Sequence, residues 1–175
     1  MKSFDIDEAI QILENTPQVL AAFLGPLPDS WIHANEGEET WSPFDILGHL
    51  VHGEKADWTN RTRTILEKGI SETFQPFDRF AQFRDSKGKS LTGLLTEFEQ
   101  LRKKNIEYLK EQALSVNDLE KKGIHPEFGE VTLKQLLSTW VVHDLGHIRQ
   151  IARVLAKQYK NEIGPWEKFL RVVDE

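Results

Sequence analysis

Thr132-Leu133-Lys134-Gln135-Leu136-Leu137-Ser138-Thr139-Trp140-Val141-Val142-His143-Asp144-Leu145-Gly146-His147-Ile148-Arg149-Gln150 is the stretch that decides how this chain folds. Thr132 can cap a helix running from Leu133 to about Tyr159, and Leu136, Trp140, His143, His147, Gln150 and Val154 fall on one stripe of it. Such a stripe is the face that a bundle helix turns toward its neighbours. Its unusual members are His143 and His147. Four residues apart on a helix, two side chains sit roughly 40° from one another and one turn displaced. Two imidazoles so placed can reach one point from the same side.

The preceding segments read as partners for that stripe. Ile6, Ile10, Leu13, Leu20 and Leu24 recur at helical spacing after Asp5, which can cap, although Pro17 should kink or split the helix. Gly25-Pro26-Leu27-Pro28-Asp29 ends it, and the stretch to Thr40 suits a surface loop from which Trp31 packs back on the body. Ser42-Pro43 is a strong helix start, with Asp45 three residues beyond the cap, and the second helix is expected from Pro43 to Glu67, closed by Gly69. An aromatic, irregular stretch around Phe74, Phe77 and Phe80 reads as a loop packed across a bundle end. Leu91, Leu94, Leu95, Phe98, Leu101 and Leu109 mark one face of a third helix over Leu91–Gln112, opposite Glu97, Glu99, Lys103 and Glu107. A turn near Asp118 and the breaker-rich Gly123–Gly129 lead to the fourth helix, and Gly164-Pro165-Trp166 opens a brief terminal one. The expected fold class is all-α, a four-helix bundle with a short extra C-terminal helix.

Composition narrows the function. The 175 residues are read as one domain over positions 1–175. With 39% apolar and 29% charged residues the balance is globular, and a formal net charge of −6 gives no general attraction to nucleic acid or to an anionic membrane. Cysteine is absent, so a metal would have to sit on nitrogen and oxygen. The acidic amino terminus is not a targeting signal, no run approaches ~18 apolar residues, and a cytoplasmic location is the expectation. A homodimer through bundle faces is compatible with this size, though no patch singles out the face.

Six histidines in one chain make a chance i, i+4 pair common, so spacing alone leaves two readings open. His143, His147 and Gln150 could be core polar groups satisfied by carbonyls or water. A metal ion would serve both imidazoles at once, with their outer nitrogens bonded to carboxylates or carbonyls. At this point the sequence resembles a known family, the DinB-like metal-binding proteins. The resemblance rests on Trp41-Ser42 followed by Asp45, Leu47 and His49-Leu50, and on His143 with His147 and Gln150, and it runs over most of the chain. It implies a four-helix bundle with a metal centre on His49, His143 and His147. It also selects His49 over His52, which lies about 60° further round the helix and reads as a polar surface residue or a neighbour of the ligands. His33 and His125 fall in loops and read as surface groups, the second in a loop able to cover the site.

Three neutral imidazoles leave coordination positions open, the mark of catalytic rather than structural sites. Nitrogen ligation fits zinc, nickel or iron. Such an ion acidifies bound water or holds a thiolate, which supports hydrolysis or thiol transfer on a small-molecule substrate. The resemblance implies the second, since the family includes thiol transferases that use bacillithiol, mycothiol or glutathione, and a mycothiol-dependent isomerase. A low-molecular-weight thiol is the implied cosubstrate. The competing expectation is a stress-linked metal-binding or interaction module without catalysis. No general base is evident: His143-Asp144 lacks the glutamate that follows the first histidine in zinc proteases. Asp144, Asp57 and Glu54 read more readily as solvated or salt-bridged surface carboxylates. Gln150 and Asp144 remain the catalytic candidates, with Gln150 the better placed. Trp41, Trp58, Trp140 and Trp166 read as core before pocket, and Arg61, Arg63, Arg149 and Arg153 as solvated faces.

Overall fold

The computed structural model describes residues 2–174. Helix α1 (Ile6–Leu24) starts where the Asp5 side chain accepts the Glu8 N–H. It runs unbroken through Pro17, which removes the amide that Leu13 O would otherwise receive. That carbonyl is satisfied from another helix: Arg102 Nη1 donates to Leu13 O at 2.7 Å. The connection after α1 is not purely loop, since α2 (Asp29–Ile32) forms one turn whose Ile32 is fully buried and whose Trp31 meets Tyr159 edge-on.

The second bundle helix is broken in two. Helix α3 (Pro43–Ala56) begins with a reciprocal cap in which Ser42 Oγ accepts the Asp45 N–H and the Asp45 carboxylate accepts the Ser42 N–H. It stops at Asp57, whose φ of −113° and ψ of −80° are non-helical, and α4 (Trp58–Glu67) resumes at once. The expected continuous helix Pro43–Glu67 is thereby corrected; no proline announces the break. Gly69, at φ +58°, ends the element as its sequence suggests. Within the aromatic loop, α5 (Ala81–Asp85) packs on α3.

Helix α6 (Leu91–Glu111) and the turn α7 (Val116–Leu119) precede a two-stranded hairpin in place of the expected breaker-rich loop. Strands β1 (Lys122–His125) and β2 (Gly129–Thr132) pair antiparallel from Lys122 opposite Thr132 to His125 opposite Gly129. The hairpin sits on α4 and on Phe74, whose N–H donates to Ile124 O at 2.9 Å. Helix α8 (Leu133–Lys157) starts at the Thr132 cap, and the chain ends in two 3-10 turns over Gly164–Phe169 and Arg171–Val173.

The molecule is therefore the expected four-helix bundle with a small hairpin added. Helix α1 packs mainly on α6 and α8, and α3 packs on the same two, so α1 and α3 lie on one diagonal and α6 and α8 on the other, each pair joined by a long connection, 25–42 and 112–132. Two apolar clusters fill the ends. One holds Leu20, Leu24, Ile46, Leu47, Leu50, Phe98 and Val154; the other holds Leu13, Trp58, Ile65, Ile106, Leu136, Leu137 and Trp140. Each fully buried side chain of this kind contributes about 1.5–3 kcal/mol. Between them lies a buried polar waist of Arg102, Glu54, Asn105 and Asp144. Among the described residues, no helix is long and apolar enough to cross a membrane.

Candidate metal centre

Helices α3 and α8 are neighbours, and the inward stripe of each carries its histidines to their shared face. His49 Nε2 lies 3.1 Å from His143 Nε2, and His147 Nε2 lies 3.1 Å from the same atom. A ligand atom from each of the three rings lies within 4.8 Å of the other two. His49 is buried, while His143 and His147 are half-buried, so the cluster can be reached from solvent on the α8 side.

Neutral imidazoles cannot satisfy one another in this arrangement. His147 Nδ1 donates to Gln150 Oε1 at 2.8 Å, which leaves its Nε2 as a bare lone pair facing His143. A single proton on His143 Nε2 could serve one neighbour only. Two nitrogens at ~2.0–2.1 Å from one tetrahedral ion stand about 3.3 Å apart, close to the spacing seen here. The donor set, three imidazole nitrogens converging on one point, fits a borderline divalent ion. Burial, and then the proximity of His147 and His143, hold the His49 pKa down to about 3; burial and His143 hold His147 down to about 4. Both are therefore uncharged donors at neutral pH.

Aromatic rings wall the cluster. Trp41 lies 4.9 Å from His49 and stacks at 6.5 Å over His147, Phe77 meets His49 edge-on at 5.6 Å, and Trp58 meets His143 at 5.1 Å. Phe77 belongs to the stretch read as a loop across a bundle end, and nothing in its spacing marks it as a cover for the site. Trp140 stacks on Trp58 at 5.6 Å within the core, and Trp166 is exposed. The remaining histidines stay out of the cluster. His52 lies against Phe77 with Nδ1 3.3 Å from Asp85 Oδ2, His33 is exposed beside Phe44, and His125 Nδ1 accepts the Glu127 and Phe128 amides in the hairpin turn.

The carboxylates near the site correct the surface reading. Asp144, Glu54 and Asp57 are all buried. Arg102 is the residue that sequence reasoning missed. Its Nη1 and Nη2 donate to Asp144 Oδ2 and Oδ1 at 2.7 and 3.1 Å, and Nη2 also donates to Glu54 Oε1 at 2.9 Å. Glu54 further accepts Trp140 Nε1 at 3.0 Å and Asn105 Nδ2 at 3.0 Å. Burial alone would push the Asp144 carboxyl up; the His143 ring and the Arg102 guanidinium outweigh it and hold it below the usual range. Asp57, at the helix break, pairs with Arg61, and there burial prevails and pushes the carboxyl up. The other basic residues belong largely to ion pairs, Arg153 with Glu36 and Arg63 with Glu67, and Arg63 also lies over Tyr108.

Fold and site together define a class: a four-helix bundle with diagonal connections whose adjacent helices bring three imidazoles to one point. The chain belongs to the DinB superfamily, whose model matches residues 12–151. It is 26% identical over 148 residues, 83% of each chain, to a Bacillus cereus protein named "Putative metal-dependent hydrolase", and equally so to a namesake from Bacillus mycoides. Among solved structures it superposes on YfiT from Bacillus subtilis with a TM-score of 0.75 at 21% identity, covering 94% of this chain and 92% of that one. YfiT is described as a probable metal-dependent hydrolase with an unusual four-helix bundle topology. A second four-helix bundle, TT2238, matches with a TM-score of 0.54 at 23% identity over 83% of this chain and 97% of its own.

Proposed function

We propose that His49, His143 and His147 hold one divalent metal ion and that the chain is a metal-dependent hydrolase acting on a small-molecule substrate. The observation that carries this reading is the meeting of three imidazole nitrogens, with 3.1 Å separating each of two from the third. The names of the relatives point the same way. When bound, an ion on three neutral nitrogens supplies Lewis acidity toward water and toward a carbonyl or phosphoryl group.

The chain's own residues would do the rest. Gln150 accepts a hydrogen bond from the Nδ1–H of His147 and so keeps its Nε2 free to bind. Trp41, Phe77 and Trp58 hold the rings in place and exclude bulk water from the buried flank. The half-buried His143 and His147 leave the opposite side open to substrate.

Metal analysis of untagged protein by mass spectrometry is expected to find one zinc, nickel or iron per chain. His49→Ala and His147→Ala are expected to lose it while still melting cooperatively. A wild type that carries no metal and gains none on dialysis overturns the centre. Metal-loaded protein is then assayed on ester, amide and lactone substrates, and separately with bacillithiol, mycothiol or glutathione against monochlorobimane. Hydrolysis lost in both histidine variants supports the reading. Turnover that needs a thiol replaces it with thiol transfer on the same centre, and bound metal without turnover on either panel replaces it with a binding module.

A further inference from the structure

Asp144 and Glu54 are two carboxylates on one guanidinium, yet only one of them faces the metal centre. Asp144 is fully buried, and its Oδ1 lies 4.0 Å from His143 Nδ1. That nitrogen is itself buried and has no hydrogen-bond partner within the described residues. Both Asp144 oxygens are gripped by Arg102, which fixes the plane of the carboxylate. Glu54 is saturated differently. Arg102 and Trp140 occupy Oε1 and Asn105 occupies Oε2, and its hydrogen bonds reach no histidine.

We infer that Asp144, oriented from behind by Arg102, is a positioning residue of the metal centre that accepts a hydrogen bond from the Nδ1–H of His143, whereas Glu54 serves the fold alone. The inference rests on the reading of the centre given above. Closing the 4.0 Å contact by about 1 Å brings Nδ1 into hydrogen-bond range of Oδ1. A carboxylate there holds His143 in the tautomer whose Nε2 is bare and makes that nitrogen a stronger donor. His147 Nδ1 already has an outer acceptor in Gln150, and the assignment gives the other ligand candidate of α8 one as well. Charge supports the assignment. Among the described residues, Arg102 is the one guanidinium or ammonium group paired with the two carboxylates Glu54 and Asp144 beside the three rings. Two carboxylates on one guanidinium favour positive charge at the cluster.

Asp144→Asn and Glu54→Gln each remove one charge from the same guanidinium and keep the side-chain shape, which makes them a matched pair. Zinc affinity, read by competition with a chromophoric chelator, is expected to fall about 10–100-fold in Asp144→Asn. In Glu54→Gln it should stay near that of the wild type, although both variants lose thermal stability. Equal shifts in the two variants, or an Asp144→Asn affinity equal to the wild type, overturn the inference and leave the centre standing. A wild type that binds no zinc overturns the centre and the inference with it. Where Asp144→Asn fails to fold, the imidazole nitrogen spectrum of wild-type protein decides: His143 protonated on Nδ1 supports the assignment, and protonation on Nε2 overturns it.

Discussion

His49 and His147 are neutral in the folded protein well below the pH at which an unfolded histidine, near 6.5, takes its proton, because burial and neighbouring rings hold them at about 3 and about 4. Between pH 6.5 and 4 the unfolded chain therefore binds more protons than the folded one, and stability falls as pH falls, by about 1.4 kcal/mol per pH unit for each such histidine. Urea unfolding of metal-free protein at pH 7.5, 6 and 5 is expected to show that loss, and His147→Gln to reduce its slope. A wild-type stability that stays flat from pH 7 to 5 would contradict the neutral cluster. Gln150 acts at the same scale. Gln150→Ala frees the Nδ1 proton of His147 from its acceptor, and zinc affinity is expected to drop about 10-fold or more by the same competition assay. Much of this was legible in the residues themselves. The stripe containing His143, His147 and Gln150 is a local pattern, and the family resemblance around Trp41 and His49 selected the third ring. Asp144, Glu54 and Asp57 were not legible, since a helical wheel places a charge on its own helix and says nothing of which neighbour stands opposite. The counter-ion of the first two, Arg102, is 42 residues from Asp144 and 48 from Glu54.

Element boundaries followed the caps closely, because Asp5, Ser42 and Thr132 act on the first turn through their own side chains, and a cap is a local event. Interruptions inside elements were harder to read. The break at Asp57 has neither proline nor glycine at the site; it lets the Trp58 indole pack beside Gly53, where an added Cβ would stand 3.3 Å from Trp58 Nε1. The hairpin likewise depends on a distant partner. A Cβ on Gly123 would stand 2.7 Å from Phe74 Cε1 and 2.8 Å from Ile65 Cγ1, so β1 can lie this close to α4 only with glycine there. Gly123→Ala is expected to cost about 1–3 kcal/mol in chemical denaturation. Gly146 is the opposite case. It lies in α8 between His143 and His147, and a Cβ there meets nothing within 4 Å. Gly146→Ala should raise stability by about 0.5–1 kcal/mol through helix propensity, with zinc affinity unchanged. A loss of stability, or of metal, in that variant would mean that the α8 backbone moves at the centre in a way the packing does not suggest.

At the scale of the whole molecule, the waist joins what the diagonal connections keep apart. Arg102 of α6 reaches α1 through Leu13 O, α3 through Glu54 and α8 through Asp144, so one guanidinium touches all the long elements beside the histidine cluster. It lies over the rings of Phe98 and Trp140, at 4.8 and 5.2 Å, with apolar clusters to either side. Its own stripe on α6, Leu94, Phe98, Arg102, Asn105 and Leu109, is entirely buried, and a charge on such a stripe was the one sequence signal of the waist. Arg102→Met leaves two carboxylates and the Leu13 carbonyl without their partner, and is expected to lose about 3–5 kcal/mol in urea unfolding. The cost comes from unpaired charge rather than from lost volume, since apolar residues at Arg102, Glu54 and Asp144 together should recover most of it. What remains unrecovered is the Leu13 carbonyl, worth about 1–3 kcal/mol if left unpaired, because Pro17 offers it no amide. Adding Pro17→Ala to that triple variant restores an amide to Leu13 O and is expected to close the gap. If Arg102→Met alone costs under about 1 kcal/mol, water reaches the waist and the buried-charge account fails.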